Sequence, residues 1–372
     1  MDRRRVVIVG MGDTGVLSAI ALARQAQVTG ISTRPALVSG QELGNRLADP
    51  EGWKRNFLVP FERFRGLDRV RSVHGRTIGV DLEARRVRVA LAAGGETSVP
   101  YDVLVIASGV ANGFWRHDRV EGLDEVEAGM RAIEERLAAA ATVAVVGGGP
   151  TGASAAANLA RRHPGTAVHL FFGPELPLAG YHPKVRGRID AELRSAGVHV
   201  HPGHRAELPE GFEGDDLTSG PVRWSTGQPP FAADVVLWAT GRVRPHTGFL
   251  PPAMLDERGF VRVDEHLRVP GHDGVFAVGD VAATDPNRSS ARNWGFLVLA
   301  RNVRAHLAGR PERMRAFRAP EHRWGSVLGA QDDGLLVFQP DGRAVTVPRP
   351  LVQPLLFDLY LHLGLYRGTR RR

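Results

Sequence analysis

An α/β fold is predicted by a pattern that occurs twice in the sequence. Each copy has a short β-branched run, then glycines at G-x-G-x-x-G spacing, then an alanine-rich segment of helical length. The copies are VVIVGMGDTGVLSAIALA, from Val6, and VAVVGGGPTGASAAANLA, from Val143. A strand, a tight glycine turn and a helix in this order begin a dinucleotide-binding βαβ unit. The sequence therefore predicts two Rossmann-like dinucleotide-binding domains, the second inserted in the first, plus a small C-terminal α+β region.

Further elements follow from periodicity and turn signals. After the first turn we expect a helix from Gly15 to about Gln25 and a strand over Gln27–Ile31. The other expected elements, in chain order, are the strand Val103–Ala107, a helix near Val126–Ala140, the strand Ala167–Phe172, a helix near Pro183–Ala196, the strand segment DVVLWATG, and a helix from about Ser290 to Leu307.

The first glycine turn is a candidate phosphate site. Gly10 would make the tight turn, Gly12 would admit a diphosphate close to the backbone, and Gly15 would let the helix pack on the strand. Unpaired N–H groups at the helix start and the helix dipole favour the anion. Asp13 and Thr14, inside the turn, join the candidate site.

The second turn repeats this arrangement with Gly147, Gly149 and Gly152, and with Pro150 and Thr151 between them. Two such sites predict two dinucleotides. Because nicotinamide and flavin exchange a hydride directly, one FAD and one NAD(P)H form the simplest pair. We expect an FAD-binding domain over 1–112 and 243–310, an NAD(P)H-binding domain over 113–242, and a C-terminal region over 311–372.

Three further segments carry a family resemblance. VLVIASG ends in Ala107, Ser108 and Gly109, VLWATG ends in Thr240 and Gly241, and GVFAVGD ends in Gly279 and Asp280. Together with the two turns, in this order along nearly the whole chain, they resemble the pyridine nucleotide-disulfide oxidoreductase superfamily. The resemblance implies that the A-T-G-like strands join the two domains and that Asp280 holds the ribityl chain of FAD.

The sequence contains no cysteine, which excludes the redox-active dithiol of the glutathione and thioredoxin reductase types. What remains is the dithiol-free branch: type II NADH dehydrogenases, ferredoxin reductases and apoptosis-inducing-factor-like proteins. VRVDEHLRVPGHDGVFAVGD and the C-terminal GSVLGAQDDGLLVF are most similar to the ferroptosis-suppressor group of the last class. That resemblance implies transfer of a hydride from NAD(P)H through FAD to a quinone.

The chain departs from the family pattern at two places. The glutamate that usually follows the second turn near the nicotinamide is replaced by Ser154, which predicts weaker, altered or lost NAD(P)H binding. The acidic residue expected after the second strand of each unit is also missing. The first unit offers Ser32, Thr33 and Arg34 there, and the second offers Phe172 and Gly173. NADH and NADPH therefore stay open alternatives.

A helix N-terminus near Ser290 would face the pyrimidine end of the flavin and stabilise its reduced, anionic form. Ser289 and Ser290 fit that position, although ordinary helix capping explains them equally. Arg292 and Asn293 either line the flavin or lie on a solvated helix face. Catalytic side chains stay unknown, because the flavin itself would carry the chemistry.

Four histidines suggest a metal site only weakly. His199, His201 and His204 have H-x-H-x-x-H spacing, with His182 nearby, but two alternate on an expected strand and no acidic or cysteine ligand accompanies them. We expect surface histidines and no metal.

The net charge of +8 could indicate nucleic acid or anionic lipid as a partner. Only Lys54 and Lys184 are lysines, and the arginines are scattered; the arginine bias of a GC-rich bacterial genome is the better explanation. No apolar run is long enough to span a bilayer and no signal peptide is evident, so a cytoplasmic protein is expected. The segment LLFDLYLHLGLYRGTRRR either contacts the inner face of a membrane, which suits a quinone substrate, or packs on the flavin domain.

Two other functions stay open. One is a reductase of a protein partner such as a ferredoxin. The other is a flavin-binding redox sensor or nucleic-acid-binding protein with little turnover, although nucleic acid is the less favoured partner.

Overall fold

The computed structural model describes residues 4–112, 116–214, 216–284, 294–319 and 325–370. The first part of the chain forms six strands of a seven-stranded sheet of order β16-β8-β1-β2-β5-β6-β7, in which β16 (Val275–Ala277) comes from a later segment. Three helices and the antiparallel strand pair β3–β4 accompany this sheet. Its elements are β1 (Arg5–Val9), α1 (Asp13–Leu22), β2 (Gln27–Ser32), β3 (Ala36–Val38), α2 (Leu43–Ala48), α3 (Pro50–Phe57), β4 (Leu58–Pro60), β5 (Val70–Asp81), β6 (Arg86–Leu91), β7 (Glu96–Pro100), β8 (Val103–Ile106) and β9 (Val110–Ala111).

Strand β1 is central to this sheet and pairs in parallel with both β2 and β8. Val6 and Ile8 belong to the core beneath α1, whereas Val7 and Val9 belong to the core on the opposite face. Burial on both faces explains why the strand is a continuous β-branched run.

A second, five-stranded sheet of order β12-β11-β10-β14-β13 is inserted in the sequence between β8 and β16 of the first sheet. After it, β16 pairs with β8. Its elements are α4 (Leu123–Ala138), β10 (Thr142–Val146), α5 (Pro150–Arg162), β11 (Ala167–Phe171), α6 (Pro183–Ser195), β12 (His199–His201), β13 (Thr218–Val222) and β14 (Phe231–Trp238). The fold thus has two mostly parallel sheets, one inserted in the other, as predicted.

The chain returns to the first sheet through β15 (Arg244–Pro245) and β16 (Val275–Ala277), followed by α7 (Gly295–Leu307). Strand β15 pairs with β9, so the two crossings between the sheets lie side by side. The domain boundaries at 112/113 and 242/243 fall next to this pair and stay a prediction.

The C-terminal region is a three-stranded antiparallel sheet and one helix: β17 (Ala330–Gln331), β18 (Gly334–Phe338), β19 (Ala344–Pro348), and a single turn α8 (Arg349–Leu351) that continues as the π-helix Val352–Leu365. Leu335 and Phe357 belong to the core of the first sheet, and Phe338 belongs to the core of the second. This region therefore packs against both sheets.

Helix α1 differs from its predicted bounds at both ends. It begins at Asp13 because Gly12 is its N-cap, and it ends at Leu22. The amides of Gln25 and Ala26 both donate to the carbonyl of Leu22, which turns the chain into β2. Among the described residues, no helix is both long and apolar enough to cross a bilayer.

Candidate functional site

The first glycine turn joins β1 to α1 and is sterically constrained at two positions. Gly10 has a positive φ of 95°, and a Cβ there would overlap the carbonyl group of Ala107. A Cβ at Gly15 would overlap the carbonyl oxygen of Gly10. A Cβ at Gly12, by contrast, would meet nothing within 4 Å. The turn is therefore closed toward β8 and open at the helix N-terminus, which is a cradle that fits a diphosphate.

The second turn, between β10 and α5, has the same geometry. Gly147 has a φ of 123° and its Cβ would overlap the carbonyl oxygen of Ala239; a Cβ at Gly152 would overlap the carbonyl of Gly147. Gly149 is the N-cap of α5 and faces open space, and Pro150 follows at the first helical position. The two turns are thus equivalent in structure as well as in sequence.

A cleft of about 540 Å³ opens from the first turn. It follows the carboxyl ends of β1, β2 and β8, where ligands of parallel α/β sheets bind. The residues assigned to FAD line it, except Gly15, which packs inside the turn: Gly10, Gly12, Asp13, Thr14, Ser32, Arg34, Ala107, Ser108, Gly109, Gly279 and Asp280.

Asp13 is the first residue of α1 and is 8% exposed. One of its carboxylate oxygens accepts from the Ser39 hydroxyl at 2.7 Å, and the other accepts from the Gly40 amide at 2.9 Å. A carboxylate there is favoured by the helix dipole. Asp13 therefore fixes the 39–40 loop against the turn.

Asp280, three residues after β16, is the second buried carboxylate of the cleft, with 7% of its side chain exposed. Its Oδ2 lies 2.8 Å from Nη1 of Arg116. The other terminal nitrogen, Nη2, donates to the carbonyl of Gly40 at 3.3 Å. Sequence reasoning missed Arg116 because it belongs to no motif and lies in the crossing between the sheets.

Arg34, the expected ribose-side residue, pairs with Glu121 at 2.8 Å beside His117. Burial, followed by the charge of Arg34, lowers the pKa of His117 to about 4. Arg46, on α2, lies over the Trp53 ring, and burial, followed by the charge of Arg34, lowers its pKa to about 10. The positive charges of Arg34 and Arg46 thus interact at this end of the cleft.

Ser154 lies near the start of α5 and is 5% exposed. Helix α2 covers it: a Cβ at Gly44 would overlap the Ser154 hydroxyl. Nδ2 of Asn158 donates to the Ser154 carbonyl at 2.8 Å and to the Leu328 carbonyl at 2.9 Å. The position at which the resemblance predicts a glutamate is therefore a small-residue contact between helices α2 and α5.

The remaining residues assigned to NAD(P)H gather at the second turn. Thr151 is in the first turn of α5, and Thr240 and Gly241 follow β14 next to Gly147. Phe172, at the expected ribose position, packs against Gly148, where a Cβ would lie 2.7 Å from the Phe172 side chain. The predicted helix start at Ser289 and Ser290, with Arg292 and Asn293, lies outside the described residues; α7 is described from Gly295.

The histidines lie on one face of the second sheet rather than around a common point. Nδ1 of His169, on β11, is 2.9 Å from Nε2 of His201, and the rings of His169 and His199 stack at 4.6 Å. Within the described ranges, no group of His, Asp or Glu side chains has metal-binding geometry. His182 is separate and caps α6.

Three curated relatives show what the chain is similar to. It is 28% identical over 289 residues to the oxidoreductase ptaL of Pestalotiopsis fici, covering 75% of this chain and 72% of the relative. It is 26% identical over 357 residues to the type II NADH:quinone oxidoreductase Ndh of Mycobacterium tuberculosis, covering 82% and 73%. It is 26% identical over 325 residues to ferroptosis suppressor protein 1 of Xenopus tropicalis, covering 82% of each chain.

The fold also matches solved structures. The ferredoxin reductase for the CYP199A2 system from Rhodopseudomonas palustris superimposes with a TM-score of 0.65 over 86% of this chain and 79% of that one, at 23% identity. At this identity the match establishes the fold alone.

The sequence profile of the pyridine nucleotide-disulphide oxidoreductase family matches residues 4–306, which includes both glycine turns and Asp280. This match confirms the resemblance drawn from the motifs and the two expected cofactors, FAD and NAD(P)H. The chain belongs to the pyridine nucleotide-disulphide oxidoreductase family.

Proposed function

We propose that the protein is an FAD-dependent oxidoreductase that passes a hydride from NAD(P)H through FAD to a quinone or a similar small acceptor. The observation that carries the proposal is the pair of equivalent glycine turns, each at the carboxyl end of its own parallel sheet. Because each turn fits one dinucleotide, the chain can hold a donor and an acceptor of hydride together.

The first cleft would hold FAD. The open N-terminus of α1 at Gly12 would bind the diphosphate, and Asp280 would accept from hydroxyl groups of the ribityl chain. Bound FAD would supply the chemistry, by accepting two electrons from a nicotinamide and releasing them to the acceptor. The role left to this chain is to position the two nucleotides and to exclude water between them.

The second turn would hold NAD(P)H, with the diphosphate at Gly149. Ser154 is neutral and covered by α2, so no carboxylate from this position would reach the nicotinamide. The chain offers no acidic side chain at Phe172 to bind a ribose 2′-hydroxyl, and the choice between NADH and NADPH is left to the experiment below.

A quinone acceptor is supported by the likeness to a type II NADH:quinone oxidoreductase and by the C-terminal helix. Leucines at 351, 355, 359 and 363 recur every four residues, and 44% to 62% of each is exposed. Arg349 precedes this row, and Arg367 and Arg370 follow it. An apolar row between cations suits peripheral contact with an anionic membrane, where quinones are dissolved.

The test is an anaerobic absorbance spectrum of the purified protein, before and after addition of NADH and then NADPH, followed by a soluble quinone. A flavin spectrum that bleaches with either nucleotide and recovers with the quinone is the expected result. A flavin that neither nucleotide bleaches would contradict the proposal and favour a redox sensor.

Reduction of a protein partner is the second candidate function, favoured by the net charge of +8 and the likeness in fold to a ferredoxin reductase. An acidic ferredoxin would then be reduced faster than quinones, and its turnover would fall steeply with salt. Comparison of the two acceptors at low and high ionic strength separates these candidates.

A further inference from the structure

Arg116 is bound on two sides within the FAD cleft. Its Nη1 pairs with Asp280 at 2.8 Å, and its Nη2 donates to the Gly40 carbonyl at 3.3 Å. The Gly40 amide in turn donates to Asp13 at 2.9 Å. These contacts form one connected network from Asp280, after β16, to Asp13, at the start of α1.

Gly40 lies in close contact with the guanidinium of this network. A Cβ at residue 40 would overlap the Arg116 guanidinium. The φ of Gly40 is not positive, so backbone conformation does not require glycine here. A side chain at residue 40 would therefore displace the guanidinium from its position between Asp280 and Gly40.

The ion pair between Arg116 and Asp280 offsets negative charge inside the cleft. Asp13 and Asp280 are both buried carboxylates in the cleft, and the diphosphate of a dinucleotide adds further negative charge. Like charges at short range in a partly buried site repel strongly. The neighbouring Arg34 is paired with Glu121, whereas Arg116 pairs directly with Asp280.

We propose, on the basis of the proposed FAD site, that Arg116 is a positioning and specificity-determining residue. Because it neutralises Asp280, the cleft can accept a flavin that carries a diphosphate. Without Arg116, Asp280 would still accept hydrogen bonds from the uncharged ribityl hydroxyls, but its negative charge would repel the phosphates. Selection of FAD over riboflavin therefore depends on this ion pair.

The experiment measures the dissociation constants of FAD and riboflavin by quenching of flavin fluorescence, without nicotinamide or acceptor. Arg116→Ala is expected to weaken FAD binding about 10- to 100-fold and riboflavin binding less than about threefold. Arg116→Lys is expected to recover part of the loss, because it keeps the charge. Gly40→Ala, which displaces the guanidinium, is expected to reproduce the selective loss.

Arg343→Ala, at a site 78% exposed in the turn between β18 and β19, is the matched control, and circular dichroism checks that each variant folds. Equal losses for FAD and riboflavin would overturn the inference, since Arg116 would then only maintain the shape of the cleft. Unchanged FAD affinity in Arg116→Ala would also overturn it while leaving the proposed function intact. Wild-type protein that binds no FAD would overturn both.

Discussion

At the scale of single residues, Gly12 and Gly15 lie three positions apart but differ in the space around them, which is open at Gly12 and filled at Gly15. Gly15→Ala should destabilise the protein by about 1–3 kcal/mol, because its Cβ would overlap the Gly10 carbonyl. Gly12→Ala has free space and a φ of −73°, so it should lower the flavin-free stability by no more than about 1 kcal/mol, the cost of alanine at an N-cap. It should weaken FAD binding about tenfold by obstructing the helix N-terminus. Urea unfolding and flavin titration measure the two effects, and Gly12→Ala with unaltered FAD affinity would contradict the assigned phosphate site.

Ser154 allows a second prediction at this scale. Ser154→Glu restores the residue type of the family, yet it should destabilise the protein by roughly 2–4 kcal/mol, because the longer side chain would place a charge against Gly44. Ser154→Ala should change stability by less than about 1 kcal/mol. Thermal unfolding checks both variants. A Glu variant as stable as the wild type, with tighter nicotinamide binding, would contradict this prediction and show that α2 moves to make room for the longer side chain.

At the scale of elements, the histidine pair between β11 and β12 makes the second sheet sensitive to pH. Burial first, and then the nearby His199 and His201, lower the pKa of His169 to about 4, and burial with His204 and His199 lowers the pKa of His201. Unfolded histidines take up protons from about pH 6.5 downward, whereas the folded pair resists them. Stability should therefore fall as the pH drops from about 6.5 toward 4.

The melting temperature measured across this range tests the prediction. His169→Gln should make the fall in melting temperature smaller, because His117, whose pKa is also lowered to about 4, keeps its own contribution. His272→Gln, which changes a histidine away from the pair, should leave the fall unchanged. An unchanged profile in His169→Gln would assign the pH dependence to other groups.

The C-terminal helix carries the second prediction at this scale. Replacing Leu355, Leu359 and Leu363 together by serine should weaken binding to anionic vesicles at least about tenfold, since about half or more of each side chain is exposed and available to lipid. Val345→Ser, on the nearby β19, is the control for an exposed apolar residue outside the helix. Vesicle sedimentation measures binding, and wild-type protein that stays in the supernatant would exclude membrane contact by this helix.

At the scale of the whole molecule, the C-terminal region holds both sheets together. A chain ended at residue 310 would uncover apolar surface that Leu335, Phe338 and Phe357 now cover, and large apolar patches cause aggregation. We expect such a chain to lose most of its soluble yield, as measured by size-exclusion chromatography. A soluble, monomeric, flavin-binding truncation would show that this region is dispensable to the fold.

The sequence by itself determined the two sheets and their two turns. Strands buried on both faces, such as Val6–Val9, must be continuous apolar runs, and the overlaps at Gly10, Gly15, Gly147 and Gly152 disfavour any residue with a side chain. These constraints are local, because they act within one strand–turn–helix unit, and they therefore leave a readable pattern. The residues that the motifs assign to FAD line one cleft, apart from Gly15, and their role in FAD binding stays a prediction.

Only the tertiary structure decided which residues meet across units. Arg116 pairs with Asp280 over 164 positions of sequence, and Gly44, on helix α2, covers Ser154 on helix α5. Neither contact leaves a periodic pattern or a fixed spacing in the sequence. Each depends on how the crossings between the sheets place one unit against the other. The physical reason is general: a turn is constrained by its own backbone, whereas charge pairing and helix contact depend on neighbours that are distant in the chain.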